Sequence, residues 1–191
     1  MKLTTLRFWA TIGGCVLLAN AALAAVTYRV TVNTASINAS VGFLNIQFNP
    51  GNSNSKPAIA ELSNFSGAAA GAVLPPLEGN VTGTLPGTVT MVNSTPFQER
   101  FQRFTHGNSF SFLVTLSGAA IDSPNAAFSA GSTFGLALYD FNGKPILTGQ
   151  GSATGFAGQV EINPNGSTTP TNFNTATGGR PVVSFQLIPT P

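Results

Sequence analysis

Phe110-Ser111-Phe112-Leu113-Val114-Thr115-Leu116 reads as a β-strand with one buried face. Phe110, Phe112, Val114 and Leu116 point one way, while Ser111, Leu113 and Thr115 point the other. Strict alternation of this kind matches the two-residue period of a strand and not the 3.6-residue period of a helix. It also implies one dry face and one wet face, the pattern of an antiparallel sheet packed on one side.

The same pattern recurs in both directions from this stretch. Upstream, Val26, Tyr28, Val30 and Val32 alternate with Thr27, Arg29, Thr31 and Asn33. Phe43 to Phe48 forms a second strand, closed by the turn Asn49-Pro50-Gly51-Asn52. Ala58 to Phe65 is a strand with uncertain edges, because Ile59 and Leu62 fall out of register. Gly79–Thr84 and Thr88–Val92 flank the turn Leu85-Pro86-Gly87. Downstream, Thr133–Phe141 alternates through Phe134, Leu136 and Leu138, followed by Gln159–Ile162 and Val182–Leu187. Asn163–Gly179 is rich in Asn, Thr, Pro and Gly, and reads as a long loop or irregular hairpin. One helix is expected near 96–104. Thr95 is placed to cap it, Pro96 takes its first position, and Gln98 gives capping-box spacing. Phe97, Phe101 and Phe104 would then form one apolar stripe. The expected fold is all-β: an antiparallel two-sheet β-sandwich, of jelly-roll or Greek-key type, with that one short helix.

The 191-residue chain begins with a different kind of segment. Lys2 and Arg7 precede an apolar run from Phe8 to Leu23, which ends in Ala22-Leu23-Ala24. A charged stub, a short apolar stretch and a small-x-small end describe a secretory signal peptide. The run is shorter than the roughly 20 residues of a membrane span. Ile12-Gly13-Gly14-Cys15 also has the look of a lipoprotein box, but Val16-Leu17-Leu18 carries the apolar run past the cysteine. Residues 1–24 are therefore expected to be removed, leaving 25–191 as a single secreted domain with no membrane anchor.

Cleavage changes the charge. The formal net charge of +2 comes entirely from Lys2 and Arg7. Arg29, Lys56, Arg100, Arg103, Lys144 and Arg180 are matched by Glu61, Glu78, Glu99, Asp122, Asp140 and Glu161. No basic stripe for nucleic acid remains. Cys15 and Trp9, the only residues of their types, leave with the leader, and with them any disulfide or thiol chemistry.

Catalytic groups are sparse, and no catalytic residue is assigned. His106 is the only histidine, expected in a turn and solvated, with no nucleophile-elbow pattern beside it. The six acids show no local pairing of the kind a glycosidase needs. Asp140-Phe141-Asn142-Gly143 opens like a calcium loop, so Asp140 and Asn142 are the candidate metal ligands and Ca2+ the one cofactor left open. The favoured reading of that stretch is a hairpin turn with Asn142 and Gly143 at positive φ. A glycan-binding face would call for exposed Trp or Tyr. The mature chain has only Tyr28 and Tyr139, and its Phe residues are expected in the core. Five Asn-x-Ser/Thr sequons start at Asn38, Asn64, Asn80, Asn93 and Asn165.

Several ordered segments carry a resemblance. They are Tyr28–Thr34, Gly42–Gly51, Val81–Gly87, Ser109–Gly118 and Gly131–Phe134. Together they resemble a family of bacterial exported proteins that usually carry a PEP-CTERM sorting tail. The resemblance implies an envelope or extracellular-matrix setting and no particular reaction. The chain ends at Ile188-Pro189-Thr190-Pro191, where such a tail would be expected to begin. The expected function is that of a non-enzymatic envelope or matrix protein, with exopolysaccharide or other surface proteins as partners. A carbohydrate- or calcium-binding module and a surface-fibre subunit are the alternatives.

Overall fold

A computed structural model describes residues 25–75, 78–127, 130–150, 155–175 and 179–189, so the leader expected over 1–24 lies outside the described residues. The first strands are β1 (Val26–Asn33), β2 (Val41–Pro50), β3 (Ile59–Ser66), β4 (Ala69–Val73) and β5 (Asn80–Gly83). Next come β6 (Val89–Val92), β7 (Glu99–Thr105), β8 (Ser109–Ser117), β9 (Ser132–Asp140) and β10 (Pro145–Ile146). The last are β11 (Gly149–Gln150), β12 (Gly158–Ile162), β13 (Thr168–Asn172), β14 (Asn174–Thr175) and β15 (Val183–Ile188).

The first sheet runs β15-β1-β8-β3-β6-β5, and the second runs β13-β12-β9-β2-β7-β4 with β10 added beside β9. The strands β11 and β14 pair separately. All pairings are antiparallel. β1 pairs β8, β2 pairs β7 and β3 pairs β6. That nesting is a long hairpin rolled onto itself, the jelly-roll arrangement.

The core lies between the two sheets. Phe110, Phe112, Val114 and Leu116 are all at most 1% exposed, as their alternation requires. They face Leu44, Ile46, Phe48, Phe134, Leu136 and Leu138 from the second sheet, all fully buried. Each such side chain contributes roughly 1.5–3 kcal/mol by leaving water. Two amides brace the sandwich. Gln102, facing inward from β7, donates to Leu85 O (2.9 Å) and Gly71 O (2.8 Å) and accepts from Leu85 N (3.2 Å). Asn93 donates to Lys56 O (2.8 Å) and Ser132 Oγ (2.7 Å) and accepts from Ala58 N (2.7 Å), joining the two sheets at one end.

The helix expected near 96–104 is absent, and Glu99–Thr105 is β7. Seven residues of β2, from Val41 to Gln47, pair with it in register. Those ladder bonds outcompete a local helix, whose first turn is costly to nucleate. Thr95 and Gln98 do meet, since the Thr95 hydroxyl donates to Gln98 Oε1 and Gln98 Nε2 donates to Thr95 O. The pair closes a turn into the strand instead of capping a helix. The only α-helix among the described residues is α1 (Ala119–Asp122), a single turn after β8.

Within Asn163–Gly179, Thr168–Asn172 returns antiparallel onto the preceding strand Gly158–Ile162 across a turn, so the reading as a hairpin holds for that part. Residues 176–178 lie outside the described set. Among the described residues no helix is long and apolar enough to cross a membrane.

Candidate functional site

The outer face of the second sheet carries the densest set of features outside the core. Along β2, Leu44, Ile46 and Phe48 point inward, so Phe43, Asn45, Gln47 and Asn49 point outward. In register with them stand Arg103, Phe101 and Glu99 from β7, and Tyr139, Ala137, Gly135 and Thr133 from β9.

One end of this face is aromatic. The Phe43 and Phe101 rings stack at 5.0 Å and 24°. Phe43 also stacks on Phe141 at 6.1 Å and 18°. Tyr139 meets Phe101 edge-on at 5.5 Å, and the Arg103 guanidinium lies 5.5 Å from the Phe141 ring centre. Phe141 is 61% exposed, while Phe43, Phe101 and Tyr139 are half-buried. The expectation that the Phe residues belong to the core is corrected here, because these three form an external shelf. The signal was present in the strand's parity: Phe43 shares a face with Asn45 and Gln47.

Beyond the shelf the β2 side of the face is polar, although Asn45 is only 2% exposed and Ala137 beside it on β9 is fully buried. Asn49 Nδ2 donates to Gln47 Oε1 (3.0 Å), and Gln47 Nε2 donates to Asn45 Oδ1 (3.0 Å) and Glu99 Oε1 (3.2 Å). Asn45 Nδ2 also donates to Glu99 Oε1, while Asn49 Oδ1 accepts from Gln98 N (2.8 Å). The amides thus run head to tail towards one carboxylate. Burial raises the Tyr139 phenol's pKa above its ordinary value, and the negative charge of Glu99 adds to that shift. Phe156, 5% exposed, covers Gly135, where a Cβ would run into its ring. It bounds the face on the side of β9 and β12.

The other candidates fall elsewhere. Among the described residues no hydrogen bond joins any two of Asp140, Glu161, Glu99 and His106. Glu99 and Glu161 share the outer face but stand on β7 and β12, with β2 and β9 between them. Three strand spacings separate them by roughly 14 Å, beyond the ~9.5 Å limit of an inverting glycosidase pair.

Asp140 closes the β9–β10 hairpin. Its Oδ1 accepts from Asn142 N (2.9 Å) and Lys144 N (2.8 Å). Gly143 alone takes positive φ there, at 75°, so the turn reading holds for Gly143 and not for Asn142. Among the described residues no three His, Cys, Asp or Glu side chains gather as a metal site. Asp140 and Asn142 sit in that exposed turn, with Asp140 Oδ1 already engaged by the backbone.

His106 is 2% exposed, which corrects the expectation of a solvated turn residue. Its backbone N–H donates to Ser40 O and its carbonyl accepts from Ala39 N, so residues 39–40 clamp it inward. The ring meets Phe104 edge-on at 5.6 Å, and both imidazole nitrogens are buried without a hydrogen-bond partner. Desolvation lowers its pKa below the ordinary value.

A cleft of about 400 Å³ lies at one end of the sandwich, between residues 50–55 and 93–96. Among the described residues its walls hold hydroxyls and amides but no ionisable side chain. Asn93, at its rim, is 7% exposed, so that sequon's amide is spent inside the protein. The chain matches no family model, no curated protein and no solved structure in the three comparisons made.

Proposed function

We propose that this is an exported, non-enzymatic protein of the bacterial envelope or extracellular matrix that holds polysaccharide on the outer face of its larger sheet. The leader and the PEP-CTERM-like segments support the setting. The observation that carries the binding reading is the outward shelf of Phe43, Phe101, Tyr139 and Phe141, set beside the Asn45-Gln47-Asn49 row. Aromatic faces stack on the apolar faces of sugar rings, and amides pair with their hydroxyls. An enzyme would need an acid or base reaching a bound substrate, and Glu99, the carboxylate beside the row, already accepts from Asn45 and Gln47.

The test is affinity electrophoresis of the mature chain in gels cast with neutral and acidic polysaccharides. Retardation by at least one polymer is expected, and Phe141→Ala should weaken it with no change in the melting temperature. Migration unaffected by every polymer would remove the reading. So would turnover of a polysaccharide that is lost in Glu99→Gln.

A further inference from the structure

Resting on that reading, we infer that the ligand is a linear, uncharged polysaccharide chain lying along β2, from the aromatic shelf to the amide row. Three observations select this occupant.

The first is length. From Phe43 to Asn49 the outward side chains of β2 span six residue steps, roughly 20 Å of strand. A lone sugar ring would occupy only the aromatic end. A chain of several units would reach both the stacked rings and the amides beyond them.

The second is the state of the polar groups. The amides are held in place by one another and by Glu99 and Gln98 N before anything binds. Ordering them on binding therefore costs little. Asn45 is 2% exposed and braces the row from beneath, so the half-buried Gln47 and Asn49 are the amides a chain would reach. A carboxamide oxygen has two lone pairs, and the bond from Asn49 uses one on Gln47 Oε1. Both N–H groups of Gln47 are spent on Asn45 and Glu99, while Asn49 Nδ2 keeps one beyond its bond to Gln47, so the pair accepts from and donates to hydroxyls. An extended peptide is a poor alternative, because it would need an open sheet edge. β2 has none, being paired with β7 on one side and β9 on the other.

The third is charge. Glu99 and Glu161 both lie on this face, on opposite sides of β2, and Arg103 is confined to the aromatic end over Phe141. A polyanionic chain along β2 would bring like charges together at its amide end, where Glu99 stands level with Gln47 and Glu161 level with Asn49, and that costs binding energy. An uncharged chain meets no such penalty, and its binding should be nearly independent of salt.

The experiment uses the same gels with two classes of polymer, neutral glucans and mannans against polyuronates, at low and high NaCl. A retarding neutral polymer is then partly hydrolysed, fractionated by length and titrated calorimetrically. Retardation by neutral polymers at both salt levels is expected, with the affinity of oligosaccharides about tenfold or more above that of the disaccharide. Retardation by polyuronate that fades with salt would overturn this inference and leave the binding reading standing. A disaccharide that binds as well as longer fragments would overturn the extended-chain geometry. Retardation by no polymer at all would overturn both.

Discussion

Lowering the pH from 7 to 5 should destabilise this protein through one residue. His106 is 2% exposed, and neither ring nitrogen has a partner. Its native pKa lies below the ordinary 6.5 because burial disfavours the charged ring. The unfolded chain, with its imidazole in water, therefore binds the proton first. Between the unfolded pKa and the depressed native one, the unfolded state carries more protons, so stability rises with pH and is lost as pH falls. With a full proton of difference, the slope approaches about 1.4 kcal/mol per pH unit. His106 is the only histidine, so this window belongs to it. The assay is urea unfolding of residues 25–191, followed by far-UV circular dichroism at half-unit pH steps. His106→Leu removes both nitrogens and should flatten the profile, leaving the variant relatively more stable at pH 5 than at pH 7. A native profile that is flat between pH 7 and 5, or a variant that keeps the slope, would refute the reasoning.

Four further outcomes follow from the packing and hydrogen bonding. Phe104→Ala should cost about 3–5 kcal/mol, read as a drop in the urea midpoint, because Phe104 is fully buried against Phe65 and Phe110. Arg100 faces inward at 4% exposure with its Nε unpartnered, so Arg100→Met should raise stability by about 1–3 kcal/mol in the same assay. Asp140→Ala removes the acceptor of two backbone N–H groups in an exposed hairpin and should cost about 1 kcal/mol. Excess calcium should leave the native melting temperature unchanged.

Strands with apolar residues at every second position were legible in the sequence. Phe110 to Leu116 and Val26 to Val32 lie where their alternation puts them. β7 was hidden because two of its inward positions hold Arg100 and Gln102, which mask the period while Phe97, Phe101 and Phe104 imitate a helical stripe. Only the long-range pairing with β2 resolves that ambiguity. β4, made of Ala, Gly and Val, has too little contrast to show any period. The burial of His106 depends on residues 39–40, far away in sequence, and no local pattern announces it. The aromatic shelf was half legible. The parity of Phe43 was readable, but its meeting with Phe101 and Phe141 depends on how β2, β7 and β9 come together.

The most direct test of the binding face is a chemical-shift map of residues 25–191, recorded with and without a retarding polysaccharide fragment. Perturbed resonances are expected at Phe43, Gln47, Phe101, Tyr139 and Phe141, with the cleft at 50–55 and 93–96 unmoved. Shifts centred on that cleft, with the shelf silent, would contradict the binding reading.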